Sequence, residues 1–498
     1  MLATVSSAAV FGIEALPVFI EIEVSSRGLP GVTVVGLPHA SVKESKDRVR
    51  SALRSCGFQY RAQKVTINLS PAWIPKHGPS FDLPIALGLL QGYNLLPPLS
   101  SQTLIAGELS LDGTIRPISG ILPIIIMAAQ RGYTHLFIPT ENENQCMMTS
   151  SVTCYAASHL RDIVLHITGK RKLSPVVHTK TIPPYSTSLD LLQSFSGQEH
   201  ALRTAQIAAA GRHHTLFIGP PGVGKTMLAH GISSLLPPLD NDEYLEVSAI
   251  QSRSPTQLLP PRQPPFRAPH ARSTTLQMFG GGHSLLPGEL TFAHRGVLFL
   301  DELPAFSSEI LQGLRIPLEE HVLRHSVEGH TLEFPCRFLF LAAMNPCPCG
   351  YAYSMDHVCT CSPSKIRQYL HRISSPLLDR IDLQVTLHDF SPGQNAPGSD
   401  IESRVSSIQQ AWNIQQTRYK NTQNTANGEL TSKNITQYCP LSHEVSAYLR
   451  ICLEKLKISH RKYVSIIRVA RTIADLETQK NIEKRHIAEA VQSCVRIE

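Results

Sequence analysis

The hydrophobic pattern changes period along the chain. Up to about residue 165, short runs rich in β-branched residues such as "VTVVGL", "KVTINL" and "HLFIP" predict strands. Among them, "HASVKESKDRVRSALRSCG" and "FDLPIALGLLQGY" predict two helices. The opening "MLATVSSAAVFGIEALPVFIEIEV" is apolar but has no basic leading segment and is broken by Glu14 and Pro17, so it reads as strands rather than a signal peptide. "KLSPVVHTKTIPPYSTS" is rich in Pro, Ser and Thr, lacks periodicity and reads as a linker. From about Leu191 to Phe390, apolar strands ("HTLFIG", "GVLFLD", "FLFLAAMN") alternate with helices, the pattern of a parallel α/β sheet. "SPGQNAPGSD" is a second break, and the remainder, with "ESRVSSIQQAWNIQQTRYK" and "YVSIIRVARTIADLE", is helical. No internal repeat of fixed period is present. The expected organisation is an α/β multidomain chain: an α+β domain over 1–168, a linker over 169–190, an α/β core over 191–390 and a helical domain over 391–498.

Composition narrows the class. A chain of 498 residues exceeds one ordinary core, which sets an expectation of two to four domains. Hydrophobic content of 42% with 17% charged residues is that of a soluble globular protein, and no apolar run reaches transmembrane length. The expected location is the cytoplasm, where thiols stay reduced and scattered cysteines such as Cys56, Cys154 and Cys452 act as small buried hydrophobes. Net charge is +7, and residues 401–498 hold 15 basic and 9 acidic side chains, or +6 of it. That imbalance fits a polyanionic partner and a solvated helical surface equally well.

The strongest chemical signal is "HTLFIGPPGVGKTMLAHGI". An apolar strand runs into Gly219, Pro220, Pro221, Gly222, Val223, Gly224, Lys225 and Thr226, and then into a helix. Glycines let the backbone wrap phosphates, with N–H groups pointing inward at the helix N-terminus. Lys225 can reach the β- and γ-phosphates of ATP, and the Thr226 hydroxyl can hold Mg²⁺. "GVLFLDE" supplies the second half: Asp301 for the Mg²⁺ water shell and Glu302 to orient the attacking water. "FLFLAAMNP" ends a third buried strand at Asn345, which in this order reads as a sensor of the γ-phosphate or the water.

These residues, together with "PGELTFAHRGVLFLDELPAF", "AAMNPCPCGY" and "ISSPLLDRID", resemble the magnesium-chelatase-like AAA+ ATPases, and within them the YifB/ComM type. "GLPHASVKESKDRVRSAL", "INLSPAWIPKHGPSFDLPIALGLL" and "GELSLDGTIRPISGILP" extend the resemblance over nearly the whole chain. It implies a P-loop core with a helical lid, ATP and Mg²⁺ as cofactors, and a homo-hexameric ring with no membrane partner. For the ComM type it further implies a helicase that drives branch migration of single-stranded and branched DNA in natural transformation and recombination. The alternative is an AAA+ motor that remodels a protein partner, as the chelatase motor subunit does, without translocating DNA. In such rings Arg380 of "LLDR" would be an arginine finger in trans, with an Asp379–Arg380 ion pair as the structural alternative. Similarity to chelatase subunits makes Arg468 the second sensor, with Arg461 as the alternative, and places Gln198 beside the adenine. "FRAPHARSTTLQMFGGGHSLLPGEL" corresponds to an insert that projects into the pore, and "EEHVLRHSVEGHTLEFPCRF" reads as a hairpin around Glu328 and Gly329. Their Arg267, Arg272, Arg324 and His330 serve either phosphate contact or intersubunit packing.

The N-terminal domain resembles the protease domain of Lon and the matching domain of RadA. "KHGPSFDLPIAL" parallels Lon's serine turn and puts Ser80 at the nucleophile position. A serine nucleophile needs a base within reach. Lon's lysine follows a Pro-Ile-Gly-Gly-Leu run; here Pro117-Ile118-Ser119-Gly120-Ile121 is followed by Leu122. The expectation is therefore no peptidase activity, Ser80 as a helix-start residue, and a domain serving ring assembly or DNA contact.

Four of the eleven cysteines, Cys347, Cys349, Cys359 and Cys361, fall within "NPCPCGYAYSMDHVCTC". Four thiolates can make a closed tetrahedral Zn²⁺ site, although Cys-x-Cys is a less common spacing than Cys-x₂-Cys. Zinc and metal-free thiols both remain open on the residues alone. A metal here would stiffen the loop joining Asn345 to Arg380.

Overall fold

A computed structural model describes residues 2–36, 39–59, 61, 63–76, 78–146, 148, 151–177, 198–254, 260–282, 285–327, 330–354, 357–388, 401–420, 422, 425–456 and 458–495. These form two compact units. The first takes in the described residues within Met1–Pro183, Asn241–Pro260 and Gly281–Pro287; the second those within Pro184–Asp240, Pro261–Gly280 and Gly288–Glu498.

The first unit is built on β1 (Leu2–Phe11) and β2 (Glu14–Ser25), a hairpin paired from Leu2↔Glu23 to Phe11↔Glu14. With β3 (Gly31–Val35), β4 (Lys64–Ser70), β5 (Thr103–Ile105), β6 (His135–Pro139) and β7 (Thr153–Ala157) it gives a seven-stranded mixed sheet, ordered β3-β4-β2-β1-β5-β6-β7. Alternation along β2 buries Val18, Ile20, Ile22 and Val24 and turns Phe19 and Glu23 outward, as a sheet packed on one face requires. The unit's longer helices before residue 178 are α1 (Ala40–Ser55), α2 (Asp82–Gly92), α3 (Ile121–Gln130) and α4 (Leu160–Ile167). All eleven residues of α2 are buried, and its approach to the sheet depends on two glycines. A Cβ at Gly88 would lie 2.7 Å from Ile22 Cδ1, and one at Gly92 would lie 2.7 Å from Val24 Cγ2.

Sequence patterning predicts only two helices in this region, so α3 and α4 are additions. The α3 sequence "ILPIIIMAAQ" has no polar stripe because seven of its ten residues are buried. A short apolar run of that kind cannot be told from a buried strand by periodicity.

The second unit begins with α5 (Glu199–Gly211), β8 (Thr215–Ile218) and α6 (Lys225–Leu235). The next helix, α7 (Asn241–Gln251), belongs to the first unit and touches α3 there. β9 (Phe266–Arg267), β10 (Val297–Leu300), the hairpin β11 (Val322–Val327) and β12 (His330–Pro335), β13 (Leu339–Met344), α8 (Pro363–Leu370) and β14 (Leu383–Thr386) follow. The sheet is parallel throughout, in the order β9-β10-β13-β8-β14. Every residue of β8, β10 and β13 is buried, which explains their unbroken apolar runs. Because these three strands are neighbours and parallel, the residues that follow them gather at one carboxyl edge, where open α/β sheets bind ligands.

Helices α9 (Ile401–Tyr419), α10 (His443–Leu456), α11 (His460–Leu476) and α12 (Lys484–Cys494) complete the second unit. They share one hydrophobic core with the sheet, from Phe217, Leu341 and Val385 to Ile466, Ile473 and Ile487. A buried polar network crosses the same junction. His213 meets Asp382 at 3.0 Å and Thr472 at 2.7 Å, and Asn427 donates to Thr472 and Asp475. The sequence-based cut between core and helices therefore falls inside one compact unit. The 391–400 break, and the linker from residue 178 onward, lie outside the described residues.

Candidate active site

The loop after β8 has the backbone that a phosphate cradle needs. Gly222 (φ 83°) and Gly224 (φ 89°) occupy the left-handed region that residues with a Cβ avoid. A Cβ on Gly219 would sit 2.8 Å from the Leu387 carbonyl oxygen. Helix α6 starts at Lys225 with no side chain capping it, which leaves its first N–H groups for an anion.

Lys225 Nζ donates to the carbonyls of Gly219 (2.8 Å) and Pro220 (2.7 Å) and to Asn345 Oδ1 (3.1 Å). Burial lowers the Lys225 pKa, while Asp301 and Glu302 favour its charged form. Thr226 Oγ1 donates to Asp301 Oδ2 at 3.1 Å. Glu302, the next residue, is exposed and held at φ 52°, and its N–H donates to Asp301 Oδ1 at 2.9 Å. The ends of β8, β10 and β13 thus bring Lys225, Thr226, Asp301, Glu302 and Asn345 together. A hydroxyl next to a carboxylate is the oxygen donor set that Mg²⁺ prefers, so Thr226 and Asp301 fit that ion. Gln198 lies near the same loop: its side-chain amide donates to the His388 carbonyl at 3.1 Å, one residue past Leu387.

The four cysteines converge. Cys347 Sγ is 3.3 Å from Cys349 Sγ and 3.7 Å from Cys359 Sγ, Cys349 and Cys359 are 3.6 Å apart, and all four ligand atoms lie within 4.8 Å of one another. Thiolates bound to zinc at about 2.3 Å in a tetrahedron stand about 3.8 Å apart, so the donor set fits Zn²⁺. The cluster also abuts the phosphate loop, which its place in the sequence does not reveal. Gly350 (φ 90°) sits where a Cβ would be 2.8 Å from Pro221 Cδ. Tyr369, in α8 just beyond the cluster, is partly buried, and burial raises its pKa.

The arginines fall elsewhere in the second unit. Arg380 is 10% exposed; Nε donates to the Arg315 carbonyl (3.0 Å), Nη1 to the Pro376 carbonyl (2.7 Å), and Nη2 pairs with Glu319. Its ion-pair partner is thus Glu319, not Asp379. Arg461 is half exposed and lies 3.5 Å from the other oxygen of Glu319. Arg468 is committed inside the fold, to Asp382 (2.8 Å) and to the carbonyls of Gly428 (2.6 Å) and Leu430 (3.2 Å). Burial alone would raise the Asp382 carboxyl, yet Arg468 and His213 hold it well below the usual carboxylate range. The structure does not bring these three arginines to Lys225: they line a separate cleft that contains no phosphate-loop residue.

Arg267 makes two hydrogen bonds to Glu289, at 2.6 and 2.7 Å, and Arg324 pairs with Glu320 and Glu333. Arg272 is exposed; the His330 side chain and the turn at 328 and 329 lie outside the described residues. Ser80 does not start α2: the N-cap is Phe81, the helix begins at Asp82, and Asp82 is held by Arg48 at 2.7 and 3.0 Å. Among the described residues no base is hydrogen-bonded to the Ser80 hydroxyl.

Sequence reasoning missed Glu319, Tyr369, Asp382 and Lys76. Lys76 is wholly buried, its Nζ donates to the Pro71 carbonyl, and burial lowers its pKa to about 8. Glu319 carried the one available signal, the paired acids of "PLEE" ahead of the hairpin.

The family described as "Magnesium chelatase, subunit ChlI" matches residues 191–395, "Subunit ChlI of Mg-chelatase" matches 20–142, and "Magnesium chelatase, subunit ChlI C-terminal" matches 398–493. The chain is 39% identical over 494 residues to an uncharacterized protein, YifB, of Salmonella typhimurium, covering 98% of this chain and 96% of that one. It is 39% identical over 498 residues to competence protein ComM of Haemophilus influenzae, covering 98% and 97%. A shorter likeness, 34% over 101 residues, joins it to Lon protease 2 of Bacillus subtilis, covering 20% of this chain and 18% of the protease. The shared sequence over almost the full length makes this chain a member of the YifB/ComM family of magnesium-chelatase-like AAA+ proteins.

Proposed function

We propose that the chain is the ATP-hydrolysing subunit of a cytoplasmic homo-hexameric ring that moves single-stranded and branched DNA, driving branch migration in transformation and recombination. The observation that carries this reading is the convergence of Lys225, Thr226, Asp301, Glu302 and Asn345 at one sheet edge. Bound MgATP would supply the phosphoryl bond to be broken and the metal charge that offsets its phosphates. Lys225 and the uncapped N–H groups of α6 hold the phosphates, while Thr226 and Asp301 hold Mg²⁺. Glu302 orients the attacking water, with Asn345 beside it, and Gln198 flanks the base.

Arg380 acts as the finger on a neighbouring subunit's nucleotide, since its cleft is separate from its own phosphate loop. Arg461, half exposed, is better placed than Arg468 to act as the second sensor. The four side-chain hydrogen bonds of Arg468 all go to buried or main-chain groups of its own lid and core. Cys347, Cys349, Cys359 and Cys361 bind a structural Zn²⁺. The N-terminal domain is not a peptidase and serves ring assembly or DNA contact.

The DNA assignment draws on the name of the ComM relative and on the +6 charge of residues 401–498. The chelatase-subunit matches favour a second reading, the remodelling of a protein partner. ATP turnover with and without single-stranded DNA separates the two: the DNA motor predicts stimulation, and unchanged turnover favours the protein remodeller.

A further inference from the structure

Glu319 touches two of the three arginines that line the cleft. It lies in the short helical turn Pro317–Glu320, ahead of β11. One carboxylate oxygen accepts from Arg380 Nη2, and the other lies 3.5 Å from Arg461 Nη2. The three side chains line one cleft of about 170 Å³, together with His214 and His321. No residue of Gly219–Thr226, and none of Asp301, Glu302 and Asn345, lines it.

An arginine side chain has many rotamers, and its planar fork is useful only when fixed. Two main-chain carbonyls hold Nε and Nη1 of Arg380, and Glu319 supplies the third anchor, the only charged one of the three. The Arg380 side chain is 10% exposed, whereas Glu319 and Arg461 are open at 54% and 49%. Two guanidinium groups face the one carboxylate of Glu319, in a cleft whose lining also holds Arg468, Asp379 and Glu429. A fixed pair of guanidinium groups is the chemistry that takes up a phosphate oxyanion.

We propose that Glu319 is the positioning residue of the trans-acting site: it holds Arg380 and Arg461 side by side for the terminal phosphate of a nucleoside triphosphate bound by a second copy of this chain. The inference rests on the reading of Arg380 as a finger in trans. Glu319 makes no contact with its own subunit's phosphate loop. Its loss therefore damages the half-site that donates arginines and spares the half-site that holds nucleotide. Glu319 is half exposed and Arg380 keeps its two main-chain acceptors without it, so the fold should survive that loss.

The test is complementation between variants of the full chain, with ATP as the probe. Glu319→Ala and the isosteric Glu319→Gln should bind ATP as wild type does and lose at least tenfold in kcat. Glu319→Ala mixed with Lys225→Ala should regain hydrolysis, because mixed rings contain sites with both halves whole. Glu319→Ala mixed with Arg380→Ala should not, because both lesions lie in the same half. Wild-type kcat in both Glu319 variants would overturn the proposal, as would equal recovery in the two mixtures. Arg380→Ala mixed with Lys225→Ala is the control: failure of that mixture alone removes the trans-finger reading itself, whereas recovery there with wild-type behaviour at Glu319 removes only the role of Glu319.

Discussion

Lys225 Nζ and Asn345 Oδ1 meet at 3.1 Å, joining the start of α6 to the end of β13 across 120 positions of sequence. The contact puts the Lys225 ammonium and the Asn345 amide side by side, where both could reach one γ-phosphate. Removing either should act on a different step. Lys225→Ala loses a charge-assisted hydrogen bond of roughly 1.5–3 kcal/mol and should weaken ATP binding by at least about tenfold. Glu302→Gln keeps the cradle and should bind ATP normally while turning over at a few per cent of wild type or less. Nucleotide titration and steady-state turnover distinguish them; equal turnover by Glu302→Gln and wild type contradicts the assignment of Glu302.

Arg380→Ala should bind ATP and fail to hydrolyse it. An arginine finger contributes about 10³-fold or more to phosphoryl transfer. Arg461→Ala should lower turnover in the same sense. Arg468→Ala should instead lower the melting temperature, because it strips a buried carboxylate, Asp382, of its guanidinium partner. Parallel melting and turnover curves for the three variants check this. Loss of turnover with full stability in Arg468→Ala would return the sensor role to Arg468.

The candidate site was legible because each of its residues is local chemistry at a strand end: a glycine loop into Lys225, an apolar run into Asp301 and Glu302, another into Asn345. What the sequence does not contain is pairing at a distance. Arg380 reads as a finger from "LLDR", but its anchor Glu319 lies 61 positions away, and nothing near either residue links them. Arg468 reads as a second sensor by similarity, yet its side chain is held by Asp382, 86 positions earlier. In the fold, α3 escaped because near-complete burial erased its polar stripe.

The cysteine cluster should carry about one Zn²⁺ per chain, measured by elemental analysis. Replacing Cys347 and Cys359 by Ser should release it and lower the melting temperature, since metal binding contributes directly to folding of the loop. Because Gly350 packs on Pro221, the loss should reach nucleotide affinity as well as turnover. Metal-free protein with full activity contradicts the metal site.

Stability should begin to fall as the pH drops below about 6.5. Burial lowers the pKa values of His213, His214 and His321, that of His214 to about 4. His214 Nδ1 accepts from the Phe340 N–H at 3.1 Å, a bond that protonation at that nitrogen would break. In the unfolded chain a histidine binds its proton near pH 6.5. Between that pH and about 4 the unfolded state holds more protons, so stability present above pH 6.5 is lost as the pH drops. Urea midpoints measured across this window should decline, and His214→Gln should flatten the decline. A constant midpoint contradicts the buried neutral histidines.

Branch migration on a synthetic four-way DNA junction tests the central claim most directly. Wild-type protein with MgATP should convert the junction to its two duplex products, and Glu302→Gln should bind the junction and leave it intact. Brisk ATP hydrolysis by wild type with the junction unchanged would contradict the DNA motor and leave a protein-remodelling ATPase in its place.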